Sequence, residues 1–133
     1  MSFGQGVLDP VRIVIADDDR LFAEMVRMQL SSREEVEIVG IAATGKEAVE
    51  LAEELEPDLV LMDVSMPVLD GIEAARAITA GSDPPAVVLV TGEDGDLDAR
   101  AYKAGAAAYL RKSAGLAALM DVIVAVSLTA PVC

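Results

Sequence analysis

The sequence predicts a doubly wound α/β fold, in which a five-stranded parallel sheet is flanked by five helices on its two faces. Strand-like and helix-like segments alternate about five times along the 133 residues, which is typical of parallel sheets joined by helical crossovers. The first and third predicted strands, Val11–Ala16 and Asp58–Met62, are largely apolar, as central strands covered on both faces are. The crossovers should be right-handed, and ligands should bind where the strands end.

The first half of the chain supplies two helices and the second strand. An apolar helical face is traced after the first strand by Leu21, Phe22, Met25, Val26, Gln29 and Leu30. The apolar run Val36–Ile41 predicts the second strand. Thr44 can cap the next helix, Glu47 three residues later completes a capping box, and this helix should end before Pro57.

The second half of the chain continues the alternation. Asp70-Gly71 precedes a third helix, and Ala86–Thr91 is the fourth predicted strand. A helix of small residues follows around Leu97–Ala104 and is closed by a glycine, after which Ala107–Leu110 forms a short fifth strand. The last helix is marked by Leu116, Leu119, Val122, Ile123 and Val126.

Composition narrows the class of protein. The length suits one domain with a substantial core, 53% of the residues are hydrophobic, and no apolar run is long enough to cross a bilayer. Met1–Pro10 does not have the pattern of a signal peptide. Cys133 is the only cysteine, which excludes an internal disulfide and suits the cytosol. The net charge of −13 argues against binding to nucleic acid or to an anionic membrane, and the absence of histidine excludes histidine-based catalysis.

Acidic residues at the ends of two predicted buried strands are the strongest functional signal. Asp17 and Asp18 close the first strand, and Asp63 closes the third. If these strands are neighbours, three carboxylates converge, repel one another and favour a hard divalent cation. Asp17 or Asp18, taken singly, would be interpreted as a helix cap, and we keep that interpretation for Asp19.

Four sequence segments together carry a family resemblance. They are Ile15–Asp19, Leu61–Gly71 (with the pattern Asp-x-x-Met-Pro-x-x-Asp-Gly), Val88–Gly92 and Ala104–Lys112 (with Tyr-x-x-Lys). In this order and spacing the chain resembles the response-regulator receiver domain, the CheY-like phosphoacceptor of two-component signalling. The resemblance covers about Val11 to Val126 and implies a flavodoxin-like sheet with strand order 2-1-3-4-5.

The resemblance implies a phosphoryl-transfer site with Asp63 as the nucleophile. Asp63 would accept a phosphoryl group from a phosphohistidine of a sensor histidine kinase. Mg²⁺, for which Mn²⁺ can substitute, would be held by Asp18, Asp63 and the backbone carbonyl of Ser65, with Asp17 acting largely through water. The domain would catalyse only its own phosphoryl transfer and dephosphorylation, so it is expected to be a signalling protein and not an enzyme.

The same resemblance assigns roles to four further positions and a second role to Ser65. Lys112 would place a positive charge on a phosphoryl oxygen, and the Thr91 hydroxyl would donate to another. Thr91 and Tyr109 would form the switch that reports phosphorylation to the output face. Ser65 and Glu93 would flank the path of attacking water and tune dephosphorylation.

The resemblance also implies partners and boundaries. The receiver domain is expected at 11–127, with an N-terminal extension at 1–10 and a C-terminal tail at 128–133. Its partners would be a sensor histidine kinase and a second copy, bound through the face made by the last two predicted helices and the fifth strand. No direct contact with nucleic acid or membrane is expected, and the location should be cytoplasmic.

One departure from the family pattern concerns the end of the fifth strand. Lys112 is followed by Ser113 where the family often has proline, so a cis peptide bond is not assumed there. Lys-Ser at this point is similar to receivers attached to helix-turn-helix regulators, so the chain is expected to be either a stand-alone receiver or a piece of a transcription regulator.

Three alternatives remain open at the level of sequence. A haloacid-dehalogenase-like phosphatase would need a second acid two residues after Asp63, where this chain has Ser65. A flavodoxin would need a phosphate-binding loop after the first strand, where Asp17, Asp18 and Asp19 would repel phosphate. A receiver that acts only as a scaffold is disfavoured because the acidic residues, Thr91 and Lys112 are all present.

Overall fold

A computed structural model, which describes residues 10–66, 68–92 and 103–129, contains a single parallel sheet of five strands. The strands are β1 (Val11–Ala16), β2 (Val36–Ala42), β3 (Leu59–Asp63), β4 (Ala86–Thr91) and β5 (Ala108–Arg111). Their order across the sheet is β2-β1-β3-β4-β5, and all four pairings are parallel. The predicted fold class and strand order are therefore confirmed.

Four α-helices surround the sheet in the described part of the chain. They are α1 (Arg20–Ser31), α2 (Gly45–Leu55), α3 (Gly71–Thr79) and α4 (Leu116–Thr129), and a 3₁₀ helix at Lys112–Ala114 precedes α4. The fourth of the five predicted helices, around Leu97–Ala104, lies mostly outside the described residues. Gly105, predicted to close it, has a φ of +89°, a conformation that glycine adopts without the strain of a Cβ atom.

Short polar side chains begin three of the helices. Asp19, Thr44 and Asp70 each accept a hydrogen bond from the backbone N–H three residues later, at the starts of α1, α2 and α3. Glu47 reaches back to the backbone N–H of Ala43, at 2.8 Å. These side chains satisfy donors that the helix leaves without partners, so the predicted caps at Asp19 and Thr44 are confirmed.

The sheet is buried on both faces, in two separate hydrophobic clusters. On one face Val14, Val60 and Leu89 pack with residues of α2 and α3. On the other face residues such as Ile13 and Leu61 pack with residues of α1 and α4. Because successive strand residues point to opposite faces, each central strand contributes to both clusters, which is why these strands are almost wholly apolar.

The buried side of α1 differs in part from the apolar face predicted from sequence. Ala23, Val26 and Leu30 are buried, whereas Leu21 and Met25 are exposed by 85% and 46%. The reason is geometric, because a helix that lies on a sheet buries only one stripe of its own surface. The apolar residues of α1 form a wider set, and Leu21 and Met25 lie outside the buried stripe.

The parallel register brings the carboxyl ends of the central strands to one edge. Ala16 of β1 is paired with Met62 of β3, and Asp63 is paired with Val90 of β4. The residues that follow these strands therefore meet above the same edge. No peptide bond among the described residues is cis, including Lys112–Ser113, and none of their helices is long and apolar enough to cross a membrane.

Candidate functional site

Three carboxylates converge at the carboxyl edge of the sheet. Asp17, Asp18 and Asp63 each offer one oxygen atom, and these atoms lie within 4.8 Å of one another. Asp17 and Asp63 are buried, with 3% and 6% of their surface exposed, whereas Asp18 is exposed. The acidic residues at the ends of the two strands therefore lie close together, as the sequence predicts.

Backbone contacts hold the two buried carboxylates in place. The N–H of Asp17 donates to the carbonyl of Ala42 at 2.9 Å, which extends the β1–β2 pairing past the end of β1. The Asp17 Oδ1 atom accepts the N–H of Asp19 at 2.8 Å, so one acidic run both supplies the site and turns into α1. Beyond Asp63, the N–H of Val64 donates to the carbonyl of Val90 at 3.0 Å.

Lys112 supplies the positive charge within this cluster. It lies directly after β5, and its Nζ atom is 2.9 Å from Asp17 Oδ2 and 3.7 Å from Asp63 Oδ2. The same Nζ atom is 4.4 Å from the centre of the Phe22 ring. The ammonium group is thus enclosed by two carboxylates and an aromatic face, and the lysine side chain is only 22% exposed.

Burial and charge perturb the ionisation of this pair. Burial raises the pKa of Asp63 to about 7, the charge of Asp17 adds to the rise, and Lys112 opposes it. Burial by itself would lower the pKa of Lys112. The hydrogen bond to Asp17 and the charges of Asp63, Asp17 and Asp19 outweigh burial and raise that pKa above its ordinary value.

The raised pKa of Asp63 predicts that stability without divalent cations falls as pH rises. The folded-state pKa of about 7 exceeds the ordinary value of 3.8. The protonated Asp63 side chain therefore contributes its full stabilisation below pH 3.8, and this contribution is lost as the pH rises through about 7. Between pH 5 and pH 8 in EDTA, we expect the wild type to lose ~2 kcal/mol of unfolding free energy relative to Asp63→Asn. Urea unfolding of both proteins at the two pH values measures the difference, and parallel pH profiles would refute it.

Three of the four remaining predicted residues lie in the described part of the chain. Thr91 is the buried last residue of β4, and Ser65 is exposed in the segment after β3. Tyr109, on β5, is half-buried and packs against the hydrophobic cluster that contains residues of α2 and α3. Because Tyr109 is paired with Leu89, two residues before Thr91, both of the predicted switch residues point to the same face of the sheet. Glu93 lies outside the described residues.

The donor set fits a hard divalent cation. Carboxylate oxygens are the ligands that Mg²⁺ prefers, and it binds through few carboxylates while keeping several waters. Two of the three carboxylates are buried, and one ammonium group cannot offset three negative charges. Asp17, Asp18 and Asp63 therefore offer both suitable ligands and an excess of negative charge that a cation would balance.

Two contacts near the acidic cluster were not predicted from the sequence. Phe22 was visible only as part of the apolar face of α1, yet its ring lies against the Lys112 ammonium. Gly71 was visible as the start of a helix and as the last residue of the pattern Asp-x-x-Met-Pro-x-x-Asp-Gly, but neither predicts that a Cβ atom there would come within 2.0 Å of the Asp63 carbonyl oxygen. The Phe22–Lys112 contact joins segments that are distant along the chain, and the Gly71–Asp63 contact depends on how α3 packs on the end of β3, so local patterns carry no signal for either.

The fold and the site together define a class of protein. A five-stranded parallel sheet in the order 2-1-3-4-5, with an acidic cluster and a lysine at its carboxyl edge, is the architecture of CheY-like receiver domains. The family model described as the response regulator receiver domain matches residues 13–124. The chain belongs to this family and is a receiver domain of two-component response regulators.

Individual relatives support this assignment. The chain is 49% identical to the transcriptional regulatory protein PdtaR of Mycobacterium tuberculosis (strain ATCC 25618 / H37Rv) over 117 residues, which cover 86% of this chain and 55% of PdtaR. It is 38% identical to protein-glutamate methylesterase/protein-glutamine glutaminase 5 of Myxococcus xanthus over 113 residues, 84% of this chain and 32% of that protein. The chain thus spans about half or less of the length of these relatives.

A solved structure agrees with the fold. The signal receiver domain of the putative response regulator NarL from Mycobacterium tuberculosis superposes with a TM-score of 0.87 at 31% identity, and the match covers 92% of this chain and all of that one. Both the sheet order and the length of the domain are therefore those of a solved receiver.

Proposed function

We propose that Asp63 is the phosphoacceptor of this receiver and takes its phosphoryl group from a sensor histidine kinase. The observation that carries the proposal is the contact of one lysine with two buried carboxylates at the carboxyl edge of the sheet, 2.9 Å from Asp17 and 3.7 Å from Asp63. Such a lysine opposes the rise in the Asp63 pKa, so it favours the ionised, nucleophilic form of Asp63, and it offers a cation to the incoming phosphoryl oxygens.

The transfer requires no proton from the acceptor. A carboxylate oxygen of Asp63 forms a bond to phosphorus, the phosphorus–nitrogen bond of the donor phosphohistidine breaks, and its electron pair returns to the imidazole. Lys112 moves its ammonium contact to a phosphoryl oxygen, and the Thr91 hydroxyl donates to another. The chain acts in this way as a signalling phosphoacceptor that catalyses only its own phosphorylation and dephosphorylation.

We propose that Asp18, Asp63 and the backbone carbonyl of Ser65 hold Mg²⁺ or Mn²⁺, with Asp17 in support. When bound, the cation supplies the positive charge that lets an anionic carboxylate approach an anionic phosphoryl group. The exposure of Asp18 supports its role, because an exposed carboxylate can bind a hydrated ion with little reorganisation. Asp17 is buried and already paired with Lys112, which supports its action through water.

A switch that joins Thr91 to Tyr109 would convey phosphorylation to the output face. The two residues share one face of neighbouring strands, where diagonal side chains lie within reach of each other. When Thr91 turns toward a phosphoryl group, space opens toward which Tyr109 can move. The face that contains β5 and α4 would then bind a second copy or an attached output domain, while Ser65 and Glu93 tune the loss of the phosphoryl group.

Thr91→Ala should separate phosphorylation from its output. The variant loses one donor to the phosphoryl group, so we expect phosphorylation slowed by about tenfold or less, together with loss of phosphorylation-dependent dimerisation. Intact mass spectrometry and analytical ultracentrifugation with and without phosphodonor measure the two effects. Thr79→Ser, outside the acidic cluster, is the control. A phosphorylation-dependent dimer that is unchanged in Thr91→Ala would contradict this switch.

The relatives suggest what the output is. PdtaR is named a transcriptional regulatory protein, which supports an attached DNA-binding domain as the regulated part, whereas the methylesterase of Myxococcus xanthus shows that receivers also occur with enzymes. The net charge of −13 disfavours direct DNA binding by this domain. A sensor kinase as donor supports a cytoplasmic location.

Incubation with acetyl phosphate tests the proposed function. We expect a phosphate adduct on the intact protein with Mg²⁺ and none in EDTA, measured by mass spectrometry after rapid acid quenching. A crystal soaked with Mg²⁺ and beryllofluoride should show the mimic bound to Asp63. Absence of an adduct with every small donor and with sensor kinases would favour a scaffold receiver. Release of phosphate from phosphomonoesters would favour a phosphatase, which the exposed Ser65 in place of a second acid disfavours.

A further inference from the structure

Phe22 occupies an unusual position for an apolar residue of a helix. It lies in the first turn of α1, and its ring centre is 4.4 Å from the Lys112 Nζ atom. It also lines a small cavity together with Asp17 and Asp63. The ring therefore forms an apolar part of the lining that Asp17 and Asp63 share.

The backbone around Phe22 is held by the acidic run itself. The Phe22 N–H donates to the Asp19 carboxylate at 3.2 Å, and the Asp19 N–H donates to the Asp17 carboxylate at 2.8 Å. Asp17, which pairs with Lys112, is thus linked through Asp19 to Phe22, whose ring faces Lys112, by two consecutive hydrogen bonds. This connection fixes the backbone from which the Phe22 ring projects relative to Asp17.

The ammonium group of a lysine is carried by four rotatable bonds and has no intrinsic direction. Asp17 and Asp63 attract it electrostatically, but two point contacts leave the lysine stem free to swing toward solvent. An aromatic face within about 6 Å attracts the cation through its quadrupole and covers the apolar stem at the same time. An aliphatic side chain would cover the stem but would lack the attraction.

We infer that Phe22 is a positioning residue for Lys112, whose ring holds the ammonium group at the acidic cluster, ready for a phosphoryl oxygen. The inference rests on the proposed function for its consequence, because the ammonium contributes to phosphoryl transfer only if Asp63 is the acceptor. The contact itself exists without any phosphodonor and can be measured separately.

The first experiment measures the contact by NMR. The chain has three lysines, Lys46, Lys103 and Lys112, so the Lys112 side-chain signals can be assigned from a Lys112→Met variant. We expect the ring current of Phe22 to shift the Lys112 ε-methylene protons upfield. The shift should persist in Phe22→Tyr and disappear in Phe22→Leu and in Phe22→Met. Equal Lys112 shifts in the wild type and in a folded Leu or Met variant would overturn the inference.

The second experiment measures the consequence, as the rate of phosphorylation by acetyl phosphate with saturating Mg²⁺. We expect Phe22→Leu to slow the reaction about three- to tenfold, or about 0.7–1.4 kcal/mol, and Phe22→Tyr to stay within about twofold of the wild type. In the Lys112→Met background, Phe22→Leu should have almost no further effect. An equal loss in both backgrounds would overturn the inference, because it would show that Phe22 serves only packing.

The two experiments separate the failure of this inference from the failure of the proposed function. If the wild type takes up no phosphoryl group, the proposed function fails, whereas the ring-current shift still decides whether Phe22 holds Lys112. Urea unfolding of each variant identifies any loss of fold, and Phe22→Met provides a second ring-free variant if Phe22→Leu does not fold.

Discussion

Asp63→Asn should lose essentially all phosphoryl uptake from acetyl phosphate or from a sensor kinase, a reduction of at least about 100-fold. The amide has the shape of the carboxylate but lacks the charge and the nucleophilic oxygen pair that form the acyl phosphate. The site around it should survive, because Asp63 is held mainly by the β3–β4 pairing and not by its side chain. Intact mass spectrometry over a time course measures the uptake.

The matched control for this change is Asp83→Asn. Asp83 is exposed and has a φ of +52°, a conformation that asparagine tolerates well. It lies in the loop before β4, so the same chemical change is made away from the acidic cluster. We expect uptake equal to that of the wild type. Equal uptake by Asp63→Asn and the wild type would exclude Asp63 as the acceptor and direct attention to another nucleophile.

The second large effect is expected at Gly71, the first residue of α3. A Cβ atom there would lie 2.0 Å from the Asp63 carbonyl oxygen and 2.8 Å from the Val64 Cα atom. Both are backbone atoms of the strand end that carries the proposed nucleophile, so neither can move aside as a flexible side chain would. The Gly71 N–H also donates to the Val64 carbonyl at 2.8 Å, which holds α3 against this strand end.

Gly71→Ala should therefore lower the unfolding free energy by ~3 kcal/mol and slow phosphorylation in the fraction that remains folded. Urea unfolding with Mg²⁺ present measures the first effect, and the acetyl phosphate time course measures the second. Gly81→Ala is the control, because its nearest contact would be the Ile78 carbonyl oxygen at 3.6 Å. That variant should change stability by no more than ~0.5 kcal/mol. A loss of the same size in both variants would show that the close packing of α3 on Asp63 is unimportant.

Much of the fold could be predicted because its determinants are local. The central strands are apolar runs, and Asp19, Thr44 and Asp70 stand where the helices begin. These patterns reflect burial on both faces of a sheet and the capping of free N–H groups, which act over a few residues. The apolar face of α1 was the exception, since Leu21 and Met25 are exposed.

The candidate site was predictable in its members and not in their arrangement. Asp17, Asp18 and Asp63 could be grouped because parallel strands end at one edge. Their different environments could not be predicted, since Asp17 and Asp18 are adjacent in sequence and equivalent in chemistry. In the structure Asp17 is buried against Lys112, whereas Asp18 faces solvent. The direction in which each side chain leaves the strand end decides this, and that direction depends on the turn into α1.

By itself the sequence determined the parallel α/β architecture, the strand ends that carry the acidic residues and the helix caps, because each depends on neighbours along the chain. Only the tertiary structure decided that Lys112 contacts Asp17 and Asp63, that Phe22 faces its ammonium group, and that Gly71 packs on the Asp63 carbonyl. The physical reason is that these contacts join separate elements whose relative positions are set by the packing of helices on the sheet.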